Sequence, residues 1–433
     1  MPKVLIVNQP FNNHTGGGIT LSNLFAGWDK DKIAVICYHY LLGNADTAIC
    51  DTYYQLGFRE HKFIFPFNIL KRKHSSGLIS IGRKEPGEVN KHKPGYRGKV
   101  IQKYFNPVLK YLGFYNSISR IELSDEFREW VDKFDPDIIY AQAPARESLV
   151  LVSLIQSYCQ KPLIFHMMDD WIIADKGPLK NIERKKNEKE FKRIMDKANI
   201  LMSVSDGMAE AYKTRYGKEF ITFHNPIDVN FWKPYQKSSY KLNDPPTILY
   251  AGRVGLGIDS SLELIAKAVQ QVNETLKLSL KFILQTKDKP SWASGYKYIE
   301  HRSFVAYEEL PKVFSEADIL VLPYDFSEQA LRFIRYSMPT KATEYMITGT
   351  PIILFAPKET AIVDDAERYG WATVITENNV TSLVESITYL VKNEEARRKV
   401  GKHAIKFATE NHGSENVRTR FRAALFSLVN QDK

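Results

Sequence analysis

Cysteine is scarce in this chain, with Cys37, Cys50 and Cys159 the only three in 433 residues. They are too few and too scattered for a disulfide framework, and no two have the close spacing of a zinc knuckle or a redox motif. A reducing compartment, the cytoplasm, is the expectation. Long apolar runs are also missing. No segment approaches the ~18 unbroken apolar residues of a membrane-spanning helix, so any membrane contact is expected to be peripheral, at the inner face. The opening run Val4-Leu5-Ile6-Val7 is too short for a secretory signal and reads as a buried first strand. There is no solenoid repeat, no low-complexity segment and no nucleic-acid-binding motif.

What is present is an ordinary globular composition, 44% apolar and 12% aromatic. The length exceeds the ~250 to 300 residues at which a single core stops growing, so two domains are expected. The net charge of +10 is concentrated. From Arg59 to Arg120 there are 14 Lys and Arg against 3 Asp and Glu, and the rest of the chain is close to neutral. Aromatic and aliphatic residues are interleaved with these cations, as in Lys62-Phe63-Ile64-Phe65-Pro66-Phe67. That mixture suits an anionic membrane surface or a lipid-linked phosphate, and equally a solvated insertion.

Short apolar runs alternating with amphipathic stretches divide the chain into two halves of one α/β grammar, parallel strands covered by helices. Strands are expected near residues 3–8, 33–38, 137–141, 163–166, 200–204 and 220–223, then 247–251, 278–285, 297–299, 319–323, 351–355 and 372–375. Breakers cluster from Asn225 to Pro246. The expected domains are therefore 1–235, with a basic-aromatic insertion at about 59–120, and 236–412. A final helix over 413–433 is expected to pack back toward the first domain.

Chemistry-bearing residues fall at the ends of strands. Asn13-His14-Thr15-Gly16-Gly17-Gly18 follows the first strand, and consecutive glycines let a backbone approach a ligand while helix-start amides face an anion. The second half opens alike, with Thr247 to Ala251 followed by Gly252-Arg253-Val254-Gly255-Leu256-Gly257. Arg253 projects where a diphosphate would lie beyond a strand end, and its guanidinium can fork two oxygens. Pro339-Thr340-Lys341-Ala342-Thr343-Glu344-Tyr345 opens a helix that ends at Gly349. It puts Lys341 and Glu344 on one turn, where a carboxylate can accept both hydroxyls of a ribose. A plain i,i+3 ion pair there would contribute only a few tenths of a kcal/mol. His166-Met167-Met168-Asp169-Asp170-Trp171 follows an apolar strand.

In the order and spacing of these elements the chain resembles the retaining GT-B glycosyltransferases. That family includes many bacterial mannosyl-, glucosyl- and N-acetylglucosaminyltransferases of surface polysaccharide assembly. Further elements of the resemblance are Asp135-Pro136-Asp137, Ser203-Val204-Ser205, Asn225-Pro226-Ile227-Asp228, and Ala317-Asp318 through Pro323. It implies two Rossmann-like domains facing across a cleft, with the second holding a nucleotide-sugar donor and the first a glycan or lipid-linked acceptor. Arg253 would contact the diphosphate, Glu344 the ribose and the backbone at Val305 the base. Lys341 and Thr343 would join the donor site, and Gly16 and Gly17 would line the diphosphate. His166 is implied at the transferred sugar, with Asp169 or Asp170 orienting it or binding acceptor hydroxyls, and no metal or other cofactor is required. Two positions depart from the pattern. No lysine follows Gly252-Arg253, where Gly255, Leu256, Gly257 and Ile258 stand, and Tyr336 replaces the first of the two usual glutamates. Lys287, Lys341, Arg332 or Arg335 could supply the missing charge. A catalytically silent nucleotide-sugar-binding subunit and a GT-B-like nucleotide-sugar epimerase remain as alternatives.

Overall fold

Four- to six-residue runs of Val, Ile, Leu and aromatics become strands buried on both faces, as parallel sheets covered by helices require. In the computed structural model, which describes residues 1–65, 68, 73–79, 119–173, 180–255 and 257–429, they build two separate sheets. The chain divides into a first unit, Met1–Phe223 plus the segment from Arg418 on, and a second unit, His224–Val417.

The strands of the first unit are β1 (Val4–Val7), β2 (Ile33–Tyr38), β3 (Tyr53–Leu56), β4 (His61–Phe63), β5 (Gly77–Ile79), β6 (Ser119–Ile121), β7 (Ile138–Ala141), β8 (Leu163–Met167), β9 (Ile200–Ser203) and β10 (Ile221–Thr222). The main sheet runs β10-β9-β8-β7-β1-β2-β3-β5. Every pairing in it is parallel except that of β5 with β3, and β4 and β6 form a separate antiparallel pair. Strands β3 to β6 were not expected. At three or four residues each, they are too short to show a period. The helix Ser414–Val429 belongs here. Its Phe421 meets Phe25, Tyr140 and Phe223 at 5.1, 6.0 and 5.4 Å between ring centres.

The second unit has β11 (Thr247–Ala251), β12 (Lys281–Gln285), β13 (Ile299–Arg302), β14 (Ile319–Pro323), β15 (Ile352–Phe355) and β16 (Thr373–Ile375), in the order β13-β12-β11-β14-β15-β16. All its pairings are parallel. Period-two alternation gives each face its own core. Leu249, Leu320, Leu322, Ile352 and Leu354 pack with Trp232, Tyr345 and Trp371. Ile248, Tyr250, Phe282, Val321 and Phe355 pack with Leu262, Ile265 and Leu383.

The division falls at Phe223, twelve residues before the expected boundary at 235, for a reason visible in the backbone. Phe223 still donates its amide to Ser203, in the first sheet, whereas Ile227 donates to the His412 carbonyl. Trp232 is fully buried in the second core, and the Lys237 amine holds the Ser315 and Ala317 carbonyls. The breaker-rich stretch is thus the lead-in to the second unit. Most of the basic stretch, residues 66–67, 69–72 and 80–118, lies outside the described residues. Where it is described, Arg59 pairs with Glu126, and Lys62 and Arg120 both pair with Glu122. Phe58, Ile64 and Phe65 are exposed beside them. Among the described residues no helix is long and apolar enough to cross a membrane.

Candidate active site

In the second unit the polar groups gather at the carboxyl end of β11. Gly252 has a φ of 151°, and a Cβ there would lie 2.5 Å from Lys341 Nζ. Only glycine permits both this turn and this approach. Lys341 comes from the helix Thr340–Thr348. Rather than closing on Glu344, its amine donates to the Tyr250 hydroxyl at 3.2 Å and the Ala251 carbonyl at 3.3 Å, and sits 4.3 Å from the Tyr250 ring centre. Burial lowers its pKa to about 8, with Glu344 opposing. It is therefore a cation beside Gly252-Arg253 that holds its proton less tightly than a surface lysine.

Glu344 is buried to 8% exposure, and its carboxylate accepts no hydrogen bond among the described residues. Burial pushes its pKa up to about 7, against the pull of Lys341. Carboxylate oxygens left unfilled in this way are suited to two ligand hydroxyls. Arg253 is exposed at the turn, and its carbonyl accepts from the Tyr250 hydroxyl at 2.5 Å. The helix Asp259–Leu276 begins after the glycines without a cap of its own. Asp325, beyond the end of β14, reaches over to accept from the Ser260 hydroxyl and, at 3.2 Å, from the Ser261 amide. Val305 is half-buried between exposed Phe304 and Tyr307, and the Tyr307 ring stacks on Phe231 at 5.7 Å. Thr343 does not reach this edge. It is fully buried, and its hydroxyl donates to the Thr340 carbonyl at 2.9 Å. Of the four candidate cations Lys287, Arg332, Arg335 and Lys341, it is Lys341 whose charge lies against Gly252. Arg332 is exposed and pairs with Glu328 at 4.0 Å.

In the first unit the glycines lie inside the helix, which spans Gly16–Phe25. Asn12 Oδ1 accepts from the amides of His14 and Thr15, and the Thr15 hydroxyl caps the Gly18 amide at 3.1 Å. This leaves the amides of Gly16 and Gly17 as the first-turn donors without an intrahelical acceptor. A Cβ on Gly18 would strike the Asn12 side chain at 2.3 Å. One on Gly17 would lie 2.9 Å from Gln9 Oε1 and 3.0 Å from Gln142 Oε1. Neither glutamine was singled out from sequence, although Gln142 stands directly after β7, at a strand end where ligands gather.

His166 is placed differently from expectation. It lies within β8, has no exposed surface, and its Nδ1 is 2.6 Å from the Tyr140 hydroxyl. Burial lowers its pKa to about 4, so the ring is neutral. Asp170 is likewise internal, held by Arg215 through two contacts of 3.1 Å and by the Tyr212 hydroxyl at 2.9 Å. Both are taken up by the fold: His166 is a strand residue whose ring turns into the core against Tyr140, and Asp170, past the strand end, closes on Arg215 and Tyr212. Of the three residues assigned to acceptor or sugar, Asp169 alone is exposed.

Residues 245–393 match the model of a family described as glycosyl transferases group 1. No curated protein matches the chain. Among solved structures, sucrose-phosphate synthase from Thermosynechococcus elongatus is 11% identical with a TM-score of 0.62, covering 100% of both chains. HepE from Anabaena, in complex with UDP and glucose, is 14% identical with a TM-score of 0.58, covering 99% of this chain and 100% of its own. A putative UDP-N-acetylglucosamine 2-epimerase from Listeria monocytogenes is 12% identical with a TM-score of 0.54, covering 100% of this chain and 98% of its own. These likenesses give the chain the GT-B fold of two Rossmann-like units.

Proposed function

We propose that the chain is a glycosyltransferase that moves a sugar from a nucleotide-sugar donor to a glycan or lipid-linked saccharide. Transfer retains the anomeric configuration and serves cell-surface polysaccharide or glycoconjugate synthesis. One observation carries this reading. The Lys341 amine lies against Gly252, next to Arg253 and one turn from the unfilled carboxylate of Glu344, within the residues that match the family model. The solved complex of HepE with UDP-glucose is consistent with it.

Lys341 and Arg253 neutralise the departing nucleoside diphosphate, so the charge that develops on it is met by fixed cations without a metal. Glu344 accepts the ribose hydroxyls, and the backbone at Val305 takes the base. Attack from the leaving group's own face, with a donor phosphate oxygen as base, gives retention. The exposed Phe58, Ile64 and Phe65 beside the basic stretch support a peripheral contact with an anionic membrane on the cytoplasmic side, which liposome sedimentation reads.

A thermal-shift screen against UDP-, GDP-, ADP- and dTDP-sugars, with magnesium or with EDTA, tests the reading, because a ligand of the native state raises Tm by mass action. One base is expected to raise Tm selectively in EDTA. No shift with any nucleotide sugar overturns the proposal. Conversion of the donor without an acceptor would identify an epimerase instead.

A further inference from the structure

We propose that the cavity between β3, β4 and residues 73–74 binds the phosphate of a phospholipid headgroup, so that the first unit recognises a membrane lipid and is not merely drawn to a charged surface. The inference rests on the peripheral membrane contact proposed above and is independent of the transfer reaction.

The cavity is formed by a turn and the run that crosses it. The chain leaves β3 at Leu56, turns through Gly57 and returns as β4. The run that leads into β5 lies against this turn, with the Phe58 amide donating to the His74 carbonyl at 2.9 Å and the Gln55 amide to the Ser75 carbonyl at 2.7 Å. A Cβ on Gly57 would strike the Ser75 carbonyl, so only glycine admits the approach. Together they bound a cavity of about 320 Å³ whose lining includes Phe58, His61, Lys62, Phe63, Lys73 and His74.

The charged lining is of one sign. Four of these side chains are basic, and among the described residues no carboxylate lines the cavity. Glu122 and Glu147, which pair with Lys62 at 2.6 Å and His61 at 3.5 Å, stand outside it. Lys73 is exposed and has no ion-pair partner among the described residues. A concave wall of one sign focuses its field on an anion. Part of that wall is also set in advance. The His74 ring lies 3.9 Å from that of His39, at 16°. Gln55 directs its amide hydrogens to Ser75, so its oxygen accepts from His39 Nδ1 at 3.0 Å. The ring behind His74 is thereby fixed before a ligand arrives, which lowers the entropy cost of binding.

The rim decides what kind of anion fits. Phe58, on the cavity wall, and Ile64 and Phe65, directly after Phe63, are 47, 50 and 75% exposed. Exposed apolar groups beside cations suit the boundary between headgroups and acyl chains. A free phosphate would leave them in water. A lipid phosphate satisfies both parts, because its oxygens reach the basic lining while its chains stay with the rim. A phosphomonoester presents three unesterified oxygens and a diester two, so phosphatidic acid is the lipid that meets the lining best.

The test is sedimentation of the full chain with phosphatidylcholine vesicles that contain either phosphatidic acid or phosphatidylglycerol, set to equal zeta potential. The wild type is expected to bind the phosphatidic acid vesicles about tenfold more tightly, the lower end of the scale for one charge-assisted hydrogen bond. Glycerol 3-phosphate is expected to remove that preference at an ionic strength at which chloride does not. Lys73→Ala is expected to bind the two vesicles equally. Arg120→Ala removes the same charge outside the cavity and is expected to weaken both to the same extent, by up to about fivefold. Phe65→Ser is likewise expected to weaken both alike. Equal wild-type affinities at matched potential overturn the inference, as does a preference that survives Lys73→Ala. Absence of sedimentation with either vesicle would fail the membrane contact itself, and this inference with it, while the nucleotide-sugar screen would still stand as the test of the glycosyltransferase reading.

Discussion

The two units open with the same local plan, a buried strand, a glycine turn and a helix, yet the turns carry opposite chemistry. After β1 the helix is capped from within, by Thr15. The side chains that crowd its start are the neutral amides of Gln9 and Gln142. After β11 the cap comes from Asp325, on another strand's loop, and the group against the turn is the Lys341 ammonium, with Arg253 alongside. A strand-glycine-helix plan therefore supplies backbone donors in both places, and the side chains brought in from neighbouring elements decide what those donors serve. Amide oxygens stand at the first, and cations at the second.

The contrast breaks most visibly at Lys341. Lys341→Ala is expected to weaken nucleoside diphosphate binding about 100-fold, the upper range for a charge-assisted hydrogen bond, with calorimetry as the readout. Glu344→Gln sharpens it at the ribose. An approximately tenfold loss is expected with a ribonucleotide and little further loss with its 2′-deoxy counterpart. The same variant changes the dependence of stability on pH. The folded-state pKa of Glu344, about 7, is raised above the ordinary 4.5, so its contribution is present at pH 4.5 and lost as pH rises through 7. Glu344→Gln should lose less Tm than the wild type between pH 5 and 8. Removing the borrowed cap with Asp325→Ala is expected to cost about 2 kcal/mol in urea unfolding, since the Ser261 amide is buried. Removing the local cap with Thr15→Ala should cost about 1 kcal/mol.

How much of this was legible in sequence follows from how local each feature is. The twelve strands that carry apolar runs are where the sequence puts them, within a few residues. Strand β3 is not such a run: Tyr53, Tyr54, Gln55 and Leu56 owe their extended form to pairing with β2 and β5. Lys341 and Glu344 could be placed on one helical turn from spacing alone. That the Lys341 amine lies against Gly252, beside Arg253, could not, because it depends on the helix lying against a strand some 90 residues earlier in the chain. His166 and Asp170 show the reverse error. Polar residues at a strand end suggest a site, but Tyr140, Tyr212 and Arg215 absorb them internally. Gln142 was not singled out because an isolated amide carries no motif, and its place beside Gly17 comes from an element distant in the chain.

The central claim is that Lys341 is the titrating cation of a nucleoside diphosphate site on the second unit. Burial holds its pKa near 8, so a bound anion must draw a proton onto it at higher pH. The direct measurement is calorimetric titration of the best-binding nucleoside diphosphate at pH 7 and pH 9.5, in wild type and Lys341→Ala. The account predicts a wild-type affinity that falls about tenfold or more across that interval, and a variant whose affinity is low and nearly flat. Equal affinities for the two proteins at pH 7, or the same fall in both, would contradict it.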